Sequence, residues 1–171
     1  TLWSGPPILG EVNNTARLEA ADYVLDYPAS KYAHAMVRLV RQLQSEPGAE
    51  EGAAVIALTS ATNGESRSAI AVSLARAASR LGKKTVILDC TSQRLASRAI
   101  KAPVKCGLNE VLTGTATLNQ ALAKDPRGQA YLLSTPKWPG PELLTSRAMA
   151  RLAFQRGAAD KFAVELDERA I

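Results

Sequence analysis

The stretch Ala53-Ala54-Val55-Ile56-Ala57-Leu58-Thr59-Ser60-Ala61-Thr62-Asn63-Gly64-Glu65-Ser66-Arg67-Ser68-Ala69-Ile70 decides the fold. An apolar run of strand length enters a turn of small residues, and the turn opens a helical pattern. This is the outline of a phosphate-binding loop, in which backbone N–H groups and a helix N-terminus cradle phosphate oxygens. The Walker A pattern G-x-x-x-x-G-K-[ST] falls on Ala61 to Ser68. Its second glycine is Ser66 here, its lysine is Arg67, and only Ser68 keeps its type. Ser66 can take a left-handed conformation only at a cost of about 1 kcal/mol or more. Arg67 keeps the positive charge, but its planar fork is bulkier than an ammonium group. Ser68 retains a hydroxyl that could ligate magnesium. The candidate phosphate-loop positions are therefore Asn63, Gly64, Glu65, Ser66, Arg67, Ser68 and Ala69. On the motif alone, a plain strand–turn–helix accounts for the stretch as well as a phosphate loop does.

Downstream, Ser66 to Leu81 reads as a helix with Ile70, Leu74, Ala77, Ala78 and Leu81 facing inward, ended by Gly82. Thr85 to Leu88 reads as a second strand that ends at Asp89. Strand, helix and strand make a βαβ unit with parallel strands. Further on, Gln93–Ile100, Leu108–Leu112 and Leu118–Ala123 read as helices. Ala130–Ser134 reads as a strand, Pro136 to Pro141 as a rigid loop and Leu143–Gln155 as a helix. Residues 161–166 are a candidate last strand, although Glu165 inside the run argues against burial. Upstream, residues 1–28 read as an extended arm containing Gly5-Pro6-Pro7 and Pro28. Residues 29–45 read as a helix whose apolar face is Tyr32, Ala35, Met36, Leu39 and Leu43, with Ser30 as its cap. The expected fold is α/β, a mainly parallel sheet flanked by helices, in one domain over 29–171. In such folds ligands bind at the carboxyl ends of the strands, where the Ala61–Ser68 loop lies.

Composition narrows the function. The chain of 171 residues is long enough for one buried core, and its apolar share of 46% and charged share of 22% are ordinary. Its net charge of +5 fits an anionic membrane surface or an acidic partner. No basic run is interleaved with aromatics, which leaves nucleic-acid binding without support. Cys90 and Cys106 are scattered, as in a reducing compartment, with no metal spacing. The one histidine, His34, sits in a helical pattern and reads as a surface or packing residue.

Several segments together resemble the cytoplasmic domain of bacterial tyrosine kinases and of the related polysaccharide co-polymerases that regulate exopolysaccharide chain length. Pro7-Ile8-Leu9-Gly10-Glu11-Val12 resembles the family segment after the second transmembrane helix, and Tyr32 to Leu39 resembles the family's first helix. Thr59 to Ser68 matches its Walker A region. Val86-Ile87-Leu88-Asp89-Cys90-Thr91-Ser92-Gln93-Arg94 resembles its extra Walker motif. Gly107-Leu108-Asn109-Glu110-Val111-Leu112-Thr113-Gly114 and Pro141-Glu142-Leu143-Leu144 with Ser146 follow in the family's order. The resemblance covers Pro7 to about Met149. It implies a P-loop-NTPase-like domain that handles ATP or ADP with magnesium, Asp89 as the catalytic and metal-binding aspartate, and Arg94 near the phosphates. It also implies a larger protein on the cytoplasmic face of the bacterial inner membrane. There residues 1–28 would be a membrane-proximal arm joined to a membrane-embedded part of the same polypeptide. The implied partners are the polysaccharide assembly and export machinery and further copies of the chain.

The departures from the family pattern fall on its chemistry. Besides Ser66 and Arg67, the second aspartate of the extra Walker motif is Thr91. Losing one of two carboxylates weakens both a metal site and a general base. Asp167 is the nearest candidate for the Walker B aspartate. The family's E-x-x-R-x-x-R helix reads His34, Val37 and Val40 here, with Arg38 and Arg41 one step off, a rotation of about 100°. Tyr23, Tyr27, Tyr32 and Tyr131 are dispersed and form no tyrosine cluster of the family's kind within these residues. The expected function is therefore a catalytically degenerate regulatory domain of an exopolysaccharide co-polymerase. The alternatives are an active ATP-dependent tyrosine autokinase with a modified site and, third, a deviant ATPase of the partitioning kind.

Overall fold

Strand β2 (Thr85–Cys90) runs through the middle of the molecule with all six residues buried. Its side chains alternate between two cores, as the two-residue strand period requires. Val86, Leu88 and Cys90 join one cluster, and Ile87 joins the other. Around it lies a five-stranded sheet in the order β1-β5-β2-β4-β3, with β1 at Ala54–Leu58, β3 at Ala123–Lys124, β4 at Tyr131–Ser134 and β5 at Lys161–Leu166. Four strands are mutually parallel, and only the short β3 runs antiparallel, against β4. The computed structural model describes residues 9–12, 20–45, 54–59, 66–91, 93–135, 142, 145–153 and 161–166.

The helices are α1 (Ala20–Asp26), α2 (Lys31–Ser45), α3 (Ser66–Arg80), α4 (Leu95–Ile100), α5 (Leu108–Leu112), α6 (Leu118–Ala121) and α7 (Arg147–Ala153). On one face of the sheet, Leu108, Ala121, Met149 and Leu152 from α5, α6 and α7 pack on Val86, Leu88 and Leu133. On the other, Ala21, Val72, Ala75, Ala96 and Ile100 from α1, α3 and α4 pack on Ile87 and Leu132. An outer cluster seats Tyr32, Met36 and Val40 of α2 against Ala69, Leu74, Ala77 and Ala78 of α3, with Val24 of α1. Gly82, at φ +78°, ends α3 in a left-handed turn that sends the Lys83 N–H back to the Ala78 carbonyl.

The structure corrects two expectations, places β1 in the sheet and bears out the last strand. The stretch read as an extended arm to residue 28 contains α1. Ala21 and Val24 give that helix a buried face, so tertiary packing rather than periodicity holds it. β1 is an edge strand among those described, with Val55 40% exposed, because β5 inserts between β1 and β2. Ala123 belongs to a strand, since α6 stops at Ala121 and the chain turns into the β3–β4 hairpin. The run containing Glu165 is a sheet strand, hydrogen-bonded on both sides. The Pro136–Pro141 loop, Trp138, Leu143 and Leu144 lie outside the described residues. No helix among those described is long and apolar enough to cross a membrane.

Candidate functional site at the carboxyl edge of the sheet

Parallel pairing brings four strand ends together. Leu58 of β1 and Asp89 of β2 both register with Glu165 of β5, and Asp89 registers on its other side with Ser134 of β4. The segments that follow β1 and β2 therefore leave from one edge, where α/β folds bind ligands. The first of these segments leads into α3. Asn63, Gly64 and Glu65 lie outside the described residues, as does Asp167. The helix begins at Ser66, where the motif's alignment places it. Ser68 and Ala69 are buried in its first turn, and Arg67 is half-buried.

Asp89 is the best-defined member of the site. Its side chain is wholly buried, and both carboxylate oxygens are occupied by protein donors. Thr91 donates its hydroxyl to Oδ1 at 2.7 Å and its backbone N–H to the same oxygen at 3.2 Å. Ser97, in the first turn of α4, donates its hydroxyl at 2.7 Å and its N–H at 2.9 Å to Oδ2. Ser97 Oγ also meets Ser134 Oγ at 2.7 Å, and Thr135 donates its hydroxyl to the Asp89 carbonyl at 2.9 Å. The carboxylate thus fastens the loop after β2 to the start of α4, and Ser97 Oγ and the Asp89 carbonyl tie in the end of β4. Charge-assisted bonds of this kind are about twice as strong as neutral ones.

The substitution at position 91 gains a physical meaning here. Two carboxylates two residues apart repel, and a divalent cation between them relieves the repulsion. A threonine hydroxyl in the same place donates to Asp89 instead. A metal entering at Asp89 would have to displace donors that already satisfy both oxygens. Among the described residues no group of three His, Cys, Asp or Glu side chains could hold a metal ion. As placed, both Asp89 oxygens are committed to donors from Thr91 and Ser97. Arg94 sits at the N-cap of α4 in the left-handed region, at φ 51°, with its side chain exposed. Cys90, next to Asp89, is a buried thiol in the core.

Sequence reasoning missed a second polar centre. Arg76 on α3 is wholly buried and makes a two-pronged pair with Asp125, at 2.7 Å and 3.1 Å. It also binds Asp22 at 2.6 Å and the Ala21 carbonyl at 3.0 Å. Burial works against the charged guanidinium, but the bonds to Asp125 and then Asp22 outweigh it, leaving the pKa above its ordinary value. Arg127 closes the network outside by pairing with Asp22 and Asp26. The signal in the sequence was a lone arginine on an alanine-rich inward face. Its partners lie 54 and 49 residues away, so no local pattern connects them.

The sheet order, with α3 following β1, gives an α/β domain with the fold of bacterial tyrosine kinase domains. Among solved structures, the chimerical protein CapA2B2 matches with a TM-score of 0.78 at 23% identity, over 94% of this chain and 70% of that one. The BceF tyrosine kinase domain matches with a TM-score of 0.76 at 22% identity, over 93% and 70%. A more distant likeness is to cobyrinic acid a,c-diamide synthase from Mycobacterium smegmatis, solved with ADP and magnesium. Its TM-score is 0.56 at 22% identity, over 66% of this chain and 50% of that one. No family model matches the sequence, and no curated protein is significantly similar to it.

Proposed function

We propose that this chain is a regulatory, catalytically degenerate relative of bacterial tyrosine kinase domains. In this reading it works on the cytoplasmic face of the inner membrane, beside the machinery that assembles and exports a polysaccharide. The fold shared with the BceF kinase domain supports the family part of the reading. The observation that carries the degenerate part is Asp89, whose carboxylate is buried and filled by Thr91 and Ser97. Phosphoryl transfer depends on positioned charge and metal ions rather than on covalent chemistry by the protein. A site whose principal carboxylate is bound to hydroxyls, and whose loop has Ser66 and Arg67 for glycine and lysine, lacks that arrangement. The shared fold then serves to hold shape, with the domain acting through contacts.

The second reading, an ATP-dependent autokinase with a modified site, draws on Arg67, which keeps a cation at the start of α3. The two separate in an autophosphorylation assay of the full chain with ATP and magnesium, read by a phosphotyrosine antibody. The regulatory reading expects no signal. A signal that disappears in both Arg67→Ala and Asp89→Asn would establish the kinase.

A further inference from the structure

The amino edge of the sheet, at the far end of the strands from Asp89, gathers cations and aromatic rings on the half formed by β2, β4 and β3. Lys83 and Lys84 lead from the Gly82 turn into β2 at Thr85. Tyr131 opens β4 beside Val86, and Lys124 pairs with it across the β3–β4 hairpin. Arg127 lies in the turn of that hairpin, and Arg80 ends α3. Helix α1 is fastened at the same place. Arg80 donates to the Val24 carbonyl at 2.8 Å, and Arg127 pairs with Asp22 and Asp26. Three tyrosines are exposed here, Tyr23 at 45%, Tyr27 at 57% and Tyr131 at 38%, whereas Tyr32 is buried in the core. The rings of Tyr23 and Tyr27, one helical turn apart, have centroids separated by 4.8 Å.

The charge of this edge is positive. The carboxylates of its segments are Asp22, Asp26 and Asp125, and Arg76 and Arg127 pair with all of them. Arg80 binds a carbonyl, which leaves its charge uncompensated. Lys83, Lys84 and Lys124 enter no ion pair among the described residues. We infer that this half of the amino edge rests on an anionic bilayer surface. Its uncompensated cations are drawn to a negatively charged leaflet, whose potential reaches about 8 Å at physiological salt. Tyrosine joins an apolar ring to a wet hydroxyl, a combination that suits the headgroup layer. Leu132 faces the α1 side of the sheet and Leu133 the other, so Tyr131 belongs to the side away from α1. The rings therefore stand on both sides of the sheet, and a broad surface meets them together where a narrow acidic peptide does not. Long lysine and arginine stems let such a face settle on headgroups while their charges stay hydrated. The inference rests for its setting on the membrane-side placement proposed above and is independent of nucleotide binding at the carboxyl edge.

The test floats the full chain on a density gradient with vesicles of phosphatidylglycerol and phosphatidylcholine. The chain is expected to float with them, less so as salt rises, and not with phosphatidylcholine alone. Each lysine near an anionic surface strengthens binding about fivefold, so Lys84→Ala/Lys124→Ala should weaken it at least about tenfold. Arg98→Ala/Lys105→Ala removes the same charge from exposed positions on α4 and the loop after it, and should bind as the parent does. Tyr23→Ser/Tyr27→Ser should weaken binding severalfold with an unchanged salt dependence, because the rings carry no charge. All of these side chains are exposed, so far-UV dichroism of each variant should match the parent. Absence of flotation, or equal losses in the two charge variants, would overturn the proposal. So would binding to a polyglutamate peptide in place of vesicles. Any of these results would leave the regulatory reading standing, because autophosphorylation tests that reading separately.

Discussion

At the scale of single residues, the account turns on buried charges and what satisfies them. Arg76 is held by two carboxylates, and the Asp125 side chain beside it is wholly buried. Removing one partner of such a pair leaves an uncompensated charge, a loss of about 3–5 kcal/mol. Arg76→Leu should therefore lower unfolding stability in urea by that order, with Asp125→Leu recovering part of it in the double variant. Because the Arg76 pKa is raised above its unfolded value, its contribution is complete below that value. It is lost only as pH climbs through the folded pKa, so Arg76's own titration adds no pH dependence near neutrality. Gly128 lies against the same centre. A Cβ there would stand 2.8 Å from Asp125 Oδ2, and Arg76 Nε holds that oxygen in place. Gly128→Ala should thus cost about 1–3 kcal/mol as overpacking, visible as a lowered midpoint in the same urea titration. At the sheet edge, Thr91→Asp would set a second carboxylate beside Asp89 and remove its hydroxyl donor. The expected loss is about 1–3 kcal/mol in chemical denaturation, since Asp89 loses a buried bond and gains a repelling neighbour.

At the scale of elements, the parts legible in the sequence were those with a local cause. The helix from Ser66 to Arg80 and the buried run Thr85–Cys90 announce themselves through periodicity and through Gly82. The strand ending at Asp89 and the helix opening at Ser66 located the candidate site before any geometry was known. What could not be read depends on distant partners. Helix α1 has seven residues, too few to be stable in isolation. It exists because Ala21 and Val24 enter the core and Arg76 and Arg80 bind its carbonyls. β5 between β1 and β2 was obscured by Glu165, since a strand's position in a sheet is set by pairing rather than by its own composition. Likewise the role of Thr91 was legible only as a loss. That its hydroxyl bonds Asp89 depends on how the loop after β2 folds back. Ala21→Asp should unseat α1 selectively, because a carboxylate would enter an apolar cluster next to the sheet. Amide exchange is expected to speed up over residues 20–26 while β2 remains protected.

At the scale of the whole molecule, the carboxyl edge of the sheet holds the start of α3 and the Asp89 cluster. Elsewhere α1 carries Asp22 and Asp26, and α2 carries the exposed Lys31, Arg38 and Arg41. Arg76 ties α1 to α3 and the β3–β4 hairpin, so one buried polar network joins segments far apart in sequence. The central claim is that the motif near Ser66 and Asp89 no longer forms a magnesium–nucleotide site. Isothermal titration calorimetry of ATP into the full chain, with and without magnesium, tests it most directly. The account predicts no magnesium-dependent binding in the micromolar range. Micromolar binding that requires magnesium and is lost in Arg67→Ala would contradict it.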